Sequence, residues 1–340
     1  MWGHTGARLL VVACALLAFG PAAGASGAQL YAPDSYVNRV LPANAPLDPL
    51  SPLMVQRLVS QVQESHAWIG TTDYYDFGVP IYNVPANQPT VTVHTTHPGL
   101  APQFAAVPLP ADAFPDPGSD GNLVVYQEST DTTWEFWQLK KDAAGNWSAA
   151  YGGRMQNVSS NPGYYTDPPG SQYGARATSI PMLAGVLRIA ELQAREINHA
   201  IGFGMPRPAP CYRWPAQRQD ADLSNSDWLA PPEGAILRLP ADLDLDSLNM
   251  PPLTRAIARA VQRHGMVLQD RGGNVGFQGE DPRPVSPNPY AGPNGIFEGT
   301  SPSHLLSFFP WDKLQVLAVP PGKSSCEKLN GTAYSVPPLQ

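Results

Sequence analysis

Cysteine, lysine and charge of either sign are scarce in this 340-residue chain, which has three Cys, five Lys and 14% charged residues. Its 21 basic residues are scattered and outnumbered by 28 acidic ones, for a formal net charge of −7. Without a Lys/Arg cluster the chain has no electrostatic footprint for nucleic acid or an anionic bilayer. A phosphate-cradling glycine loop, a nucleophile elbow and a zinc-type Cys/His box are also missing, so no cofactor and no metal are expected. His94 and His97 stand at a strand exit, where two imidazoles do not converge. Asp242, Asp244 and Asp246 alternate with leucines that need burial, unlike a calcium loop. Beyond residue 19 no apolar run approaches the ~20 residues that span a bilayer, which argues against a stable membrane anchor.

What is present begins with an export signal. Residues 1–8 carry one positive charge, residues 9–19 are an eleven-residue apolar run, and residues 22–28 are small. This is the layout of a secretory signal peptide, with cleavage expected after Ala28 and, as the alternative, after Ala25. Cys14 leaves with it, and the net charge becomes −8 once Arg8 is lost. Cys211 and Cys326 remain, an even pair for an oxidising compartment, and a disulfide between them is expected. Two buried free thiols are the alternative.

With 39 Pro and 30 Gly, the mature chain suits short strands joined by rigid turns. Residues 51–65 predict a first helix, with Ser51 as cap and Pro52 in the first turn. A second helix is predicted over 252–264, with Gly265 at its left-handed end, and a short helical segment over 302–309. Strands are predicted over 122–127, 133–140, 147–151, 197–203, 235–239, 266–270, 275–278 and 311–319. The expected fold is mostly β, a jelly-roll-type β-sandwich with two or three short helices. Residues 29–70 read as an N-terminal lead-in, 71–320 as the sandwich domain and 321–340 as a tail.

The densest chemistry lies in residues 131–139. Strand alternation puts Trp134 and Phe136 on one face, Glu135 and Trp137 on the other. A carboxylate beside an indole on an open face suits a sugar-processing groove: the ring stacks on a pyranose and the acid handles a proton. Glu135 is therefore the candidate acid, with Trp137, Gln138 and Asp131 as substrate contacts. A hydrolase needs a second carboxylate, for which Asp120, Glu128, Glu191 and Asp270 are candidates. His199, among apolar neighbours, is a candidate base if it reaches a cleft. Tyr165 and Arg154 belong to an aromatic and basic stretch of the kind that binds acidic sugars, and Arg176 lies nearby. An outward Glu over a packed Trp, a core His and an ordinary surface loop are the bland alternatives.

The chain resembles a family of secreted bacterial proteins through several blocks. These are Tyr-Gln-x-Ser-Thr-Asp-Thr-x-Trp-Glu-Phe-Trp at 126–137, Gly-x-x-x-Asn-Val-Ser at 153–159, Ala-Thr-Ser-x-Pro-x-x-x-Gly at 177–185 and Ile-x-His-Ala at 197–200. Trp-Pro-Ala at 214–216 and Pro-Pro-x-Gly at 231–234 follow. The resemblance covers about residues 75 to 320 and implies a secreted, β-sandwich-like protein. It brings no activity and no catalytic residue. Where relatives place Asp before the histidine of Ile-x-His-Ala, this chain has Asn198.

Together these readings point to a secreted protein that engages extracellular or cell-wall polysaccharide. A glycoside hydrolase or polysaccharide lyase, and a non-catalytic envelope scaffold, are the competing classes.

Overall fold

Proline and apolar spacing set the first element. Helix α1 (Ser51–Ser65) carries Pro52 in its opening turn, where the missing N–H costs nothing, and buries Met54, Val55 and Leu58. Ser51 is its first residue rather than its cap, and its hydroxyl instead accepts from the Val316 amide at 2.8 Å. The computed structural model describes residues 1, 30–71, 77–165, 173–285, 287–320 and 323–326. The expected signal peptide lies outside the described residues.

After α1 come β1 (Ala67–Gly70), β2 (Ile81–Asn83), β3 (Val93–His94), β4 (Leu123–Gln127), β5 (Thr132–Trp137), β6 (Lys140–Lys141), β7 (Trp147–Ser148) and β8 (Tyr151–Gln156). Helix α2 (Ile189–Ala194) precedes β9 (Ile201–Met205), β10 (Ala209–Tyr212), β11 (Pro232–Glu233) and β12 (Ile236–Arg238). Helix α3 (Pro252–Arg263), β13 (Met266–Arg271), β14 (Val275–Gln278), α4 (Pro302–Leu306) and β15 (Gln315–Val316) follow. Gly265, at φ +88°, closes α3 as expected.

The protein is mostly β, with strands in several sheets and four helices among the described residues. One six-stranded sheet runs β1-β14-β9-β13-β12-β15, and one four-stranded sheet runs β2-β4-β5-β8. A jelly roll is an antiparallel arrangement. Here β1 with β14, β9 with β13 and β2 with β4 pair in parallel, so both main sheets are mixed. The strand expected over 197–203 starts later, at Ile201, and leaves His199 in the approach to β9. The closing strand expected over 311–319 shrinks to β15, behind a short turn at Trp311–Lys313. Helix α2 had no periodic stripe long enough to announce it.

Two cores flank the six-stranded sheet. Ile69, Phe203, Leu268 and Phe277 point to one face and bury against Leu58 of α1, Ile257 of α3 and Leu306 of α4. Val267, on the other face, joins the core of the four-stranded sheet with Val124, Phe136 and Met155. The segment read as a lead-in is part of this body: α1 covers the sheet and β1 forms its edge. Among the described residues no helix is long and apolar enough to cross a membrane. Cys211 and Cys326 are joined, with an S–S distance of 2.01 Å.

Candidate functional site

The second face of the six-stranded sheet is bare at one end, and the registers say why. Trp68 pairs with Gly276, Gly276 with Gly204, and Gly204 with Asp270. An indole, two glycines and a carboxylate thus stand side by side across four strands, a trough about 14 Å wide at the usual strand spacing. All four line a groove of about 740 Å3, which also takes in Phe77, Arg176 and Arg271.

Of the two glycines of this floor, Gly276 is not demanded by the fold, while Gly204 is held more closely by the Asp270 carbonyl. Neither Gly276 nor Gly204 adopts a left-handed backbone. A Cβ on Gly276 would meet nothing closer than 3.5 Å, and on Gly204 nothing closer than 3.3 Å. Gly202 is different, because a Cβ there would run into the Gln269 side chain. Glycines on a strand face keep the sheet open to an approaching molecule.

A second hollow of about 400 Å3 adjoins the groove and shares Asp120, Arg176, Asp270 and Arg271 with it. Trp137 and Tyr151 line the second hollow. The Trp137 indole donates to Asp120 Oδ1 at 3.2 Å, which fixes its ring. Arg176 is buried between the two hollows and donates to the Pro181 carbonyl at 3.0 Å and to Gln278.

Acids gather behind this junction. One carboxylate oxygen each from Asp220, Glu233 and Asp270 lies within 4.8 Å of the others. Burial, then the Asp220 carboxylate, pushes the Asp270 carboxyl up to about 7. Glu233 has no exposed surface, and burial followed by the charge of Asp220 pushes it well above the usual carboxylate range.

The expected residues fare unevenly. The pleat does put Glu135 and Trp137 on one face, but the Glu135 carboxylate does not open onto a cleft. It is 1% exposed and accepts from the amides of Ala175 and Met182, both at 2.7 Å. Burial raises its pKa, and those two amides and Arg176 counter the rise. Its acid role is corrected on this ground, since the 173–182 segment covers the carboxylate, which lines neither hollow. Tyr165 is buried against the same carboxylate, at 3% exposure, and is corrected likewise.

Asp131 is turned away at the start of β5 and accepts from the Ser159 amide and hydroxyl, the latter at 2.7 Å. Gln138 takes a left-handed turn at φ +54° after β5, outside both hollows. Arg154 is exposed on β8 and lines neither. His199 is not a free base. Its Nε2 meets Glu191 Oε2 at 3.1 Å and its Nδ1 meets the Ala200 carbonyl at 2.9 Å. Both partners are acceptors, and although burial opposes it the Glu191 carboxylate raises the imidazole's pKa, which favours a ring that donates from both nitrogens.

Of the expected substrate contacts Trp137 reaches the site, and Arg176, noted beside the aromatic and basic stretch, lines both hollows. Asp120 and Asp270 reach it from the pool of second carboxylates. The glycine floor is not among the expected site residues, although Ile-Gly-Phe-Gly-Met at 201–205 announces a strand with one face stripped. No protein-family model, curated protein or solved structure matches the chain.

Proposed function

We propose that the protein is exported and binds a glycan chain along the groove and its adjoining hollow. The row Trp68–Gly276–Gly204–Asp270 carries this reading. A sugar ring has an apolar face and a polar rim. A flat floor flanked by an indole accommodates the first, and Asp120, Arg176, Asp270 and Arg271 offer bonding partners to the second. Two hollows in series, each with its own tryptophan, suit a chain of sugars rather than a single one. The expected export leader and the disulfide agree with an extracytoplasmic setting.

The test is native electrophoresis in gels cast with single polysaccharides, backed by a glycan array and a reducing-end assay for cleavage. Wild-type mobility is expected to drop in at least one polysaccharide. Trp68→Ala is expected to weaken that retention about tenfold, or roughly 1.4 kcal/mol. Gly276→Val is the sharper variant. Its Cβ has room and a β-branched residue suits a strand, so the melting temperature should hold while retention disappears. Full retention by a folded Gly276→Val protein, or no retention of wild type by any polysaccharide, sinks the proposal.

A further inference from the structure

The carboxylates of Asp220, Glu233 and Asp270 come from three separate elements: the loop after β10, strand β11 and strand β13. Sequence spacing does not bring them together; the fold does, with one oxygen from each within 4.8 Å of the others. The innermost member is unusual. Glu233 is fully buried, one of its oxygens accepts from the Asp220 amide at 3.2 Å, and its Oε1 meets no N–H or hydroxyl donor, with only the acidic side chain of Asp220 beside the carboxyl. Buried polar atoms are nearly always satisfied, so an orphaned carboxylate oxygen among two other acids asks for a missing partner.

The groups acting on Glu233 are themselves acidic, Asp220 and Asp270, whereas Arg176 acts on Asp270. Arg271 leans the other way, toward Asp222 at 3.8 Å. Arg176, Arg218 and Arg271 line the adjoining hollow, but among the described residues none of them forms an ion pair with the three carboxylates. We infer that this cluster is a binding site for a hard divalent cation of the calcium class. All three donors are oxygen, with no imidazole or thiolate, which selects against zinc and copper. Asp220 is exposed and Asp270 half-buried at the hollow, leaving the solvent side for water or ligand oxygens to complete the coordination. The cation would neutralise the cluster and tie β11, β13 and the 220 loop together. This holds whatever occupies the groove.

The experiment uses purified protein stripped with EDTA, dialysed, and titrated separately with calcium chloride and magnesium chloride by calorimetry and thermal melting. Calcium is expected to bind one per chain and to raise the melting temperature by several degrees. An affinity in the range of extracellular calcium modules, about 10⁻⁴–10⁻³ M, is expected. Asp220→Asn, on the exposed rim, should weaken binding tenfold or more. It should melt no lower than wild type in EDTA, because it removes a repelling charge. Glu233→Gln should abolish the response; if it does not fold, Asp220→Asn carries the test alone. Absence of a response to either cation up to about 10 mM, or a wild-type response in folded Asp220→Asn, overturns the site. Glycan retention is read on the same samples. Its loss with cation binding intact would count against the groove and leave this assignment standing.

Discussion

Glu135 illustrates how a residue that looks catalytic becomes structural. In a strand reading Trp-Glu-Phe-Trp, a carboxylate next to indoles suggests an exposed acid. The 173–182 segment instead folds over it and delivers two backbone amides to its two oxygens. Those bonds satisfy the buried anion and pin the loop that supplies Arg176 to the groove. The role is testable. Glu135→Gln turns one acceptor into a donor facing an N–H, and leaving that amide unmatched costs about 1–3 kcal/mol. The variant is expected to melt lower than wild type in thermal scans. Unchanged melting would mean the amides find other partners. The identity of the residue was legible in the sequence, but its burial was not, because the segment that covers it lies some forty residues away.

At the level of elements, α2 and β9 are clasped by the His199–Glu191 pair. Burial alone would depress the imidazole, but the Glu191 carboxylate and its hydrogen bond outweigh this and hold its pKa above 6.5. For Glu191, burial pushes upward, and His199 with the Arg188 amide outweighs it, so the carboxyl sits below 4.5. The signs set a window. The raised His199 stabilises fully below 6.5 and loses its contribution as pH climbs through its folded-state pKa. The depressed Glu191 stabilises fully above 4.5 and loses its contribution as pH falls through its own. The stability gap between wild type and Glu191→Gln is therefore expected to be widest between about pH 4.5 and 6.5 and to narrow on both sides, as read by denaturant melts across pH. A gap independent of pH would show that the ion pair is not what joins the two elements.

Elements governed by local rules were the readable ones. Residues 51–65 and 275–278 form the helix and strand their periodicity implies, and Gly265 ends α3. The glycine floor was harder to read because it depends on register. Nothing local tells Trp68 that it will lie beside Gly276, or Gly204 that it will lie beside Asp270, since those partners are more than sixty residues apart. The acidic cluster was unreadable for the same reason.

At the scale of the molecule, the disulfide closes a ring of 115 residues in sequence separation. That ring contains β11 to β15, α3 and α4, and so most of the six-stranded sheet and much of its helical cover. The 323–326 segment is also laid along β10 by backbone bonds, Lys323 accepting from Trp214 at 2.7 Å and Ser325 donating to Tyr212 at 2.9 Å. The Tyr212 amide adds a bond to the Ser325 hydroxyl at 2.9 Å, and the covalent link reinforces this set. Constraining so long a loop in the unfolded chain is worth nominally 4–5 kcal/mol, and measured bonds usually deliver about 2–4. The non-reduced protein should be two hydrogens lighter than the reduced form by mass spectrometry. Paired replacement, Cys211→Ser with Cys326→Ser, is expected to lower the melting temperature by roughly 4–12 °C. Because the ring encloses β13 and β14 but leaves β1 and β9 outside it, the groove floor should stay assembled below that temperature, and whatever glycan retention the wild type shows should persist. If the paired variant melts with wild type, the ring contributes nothing to global stability and the bond merely anchors the 323–326 segment.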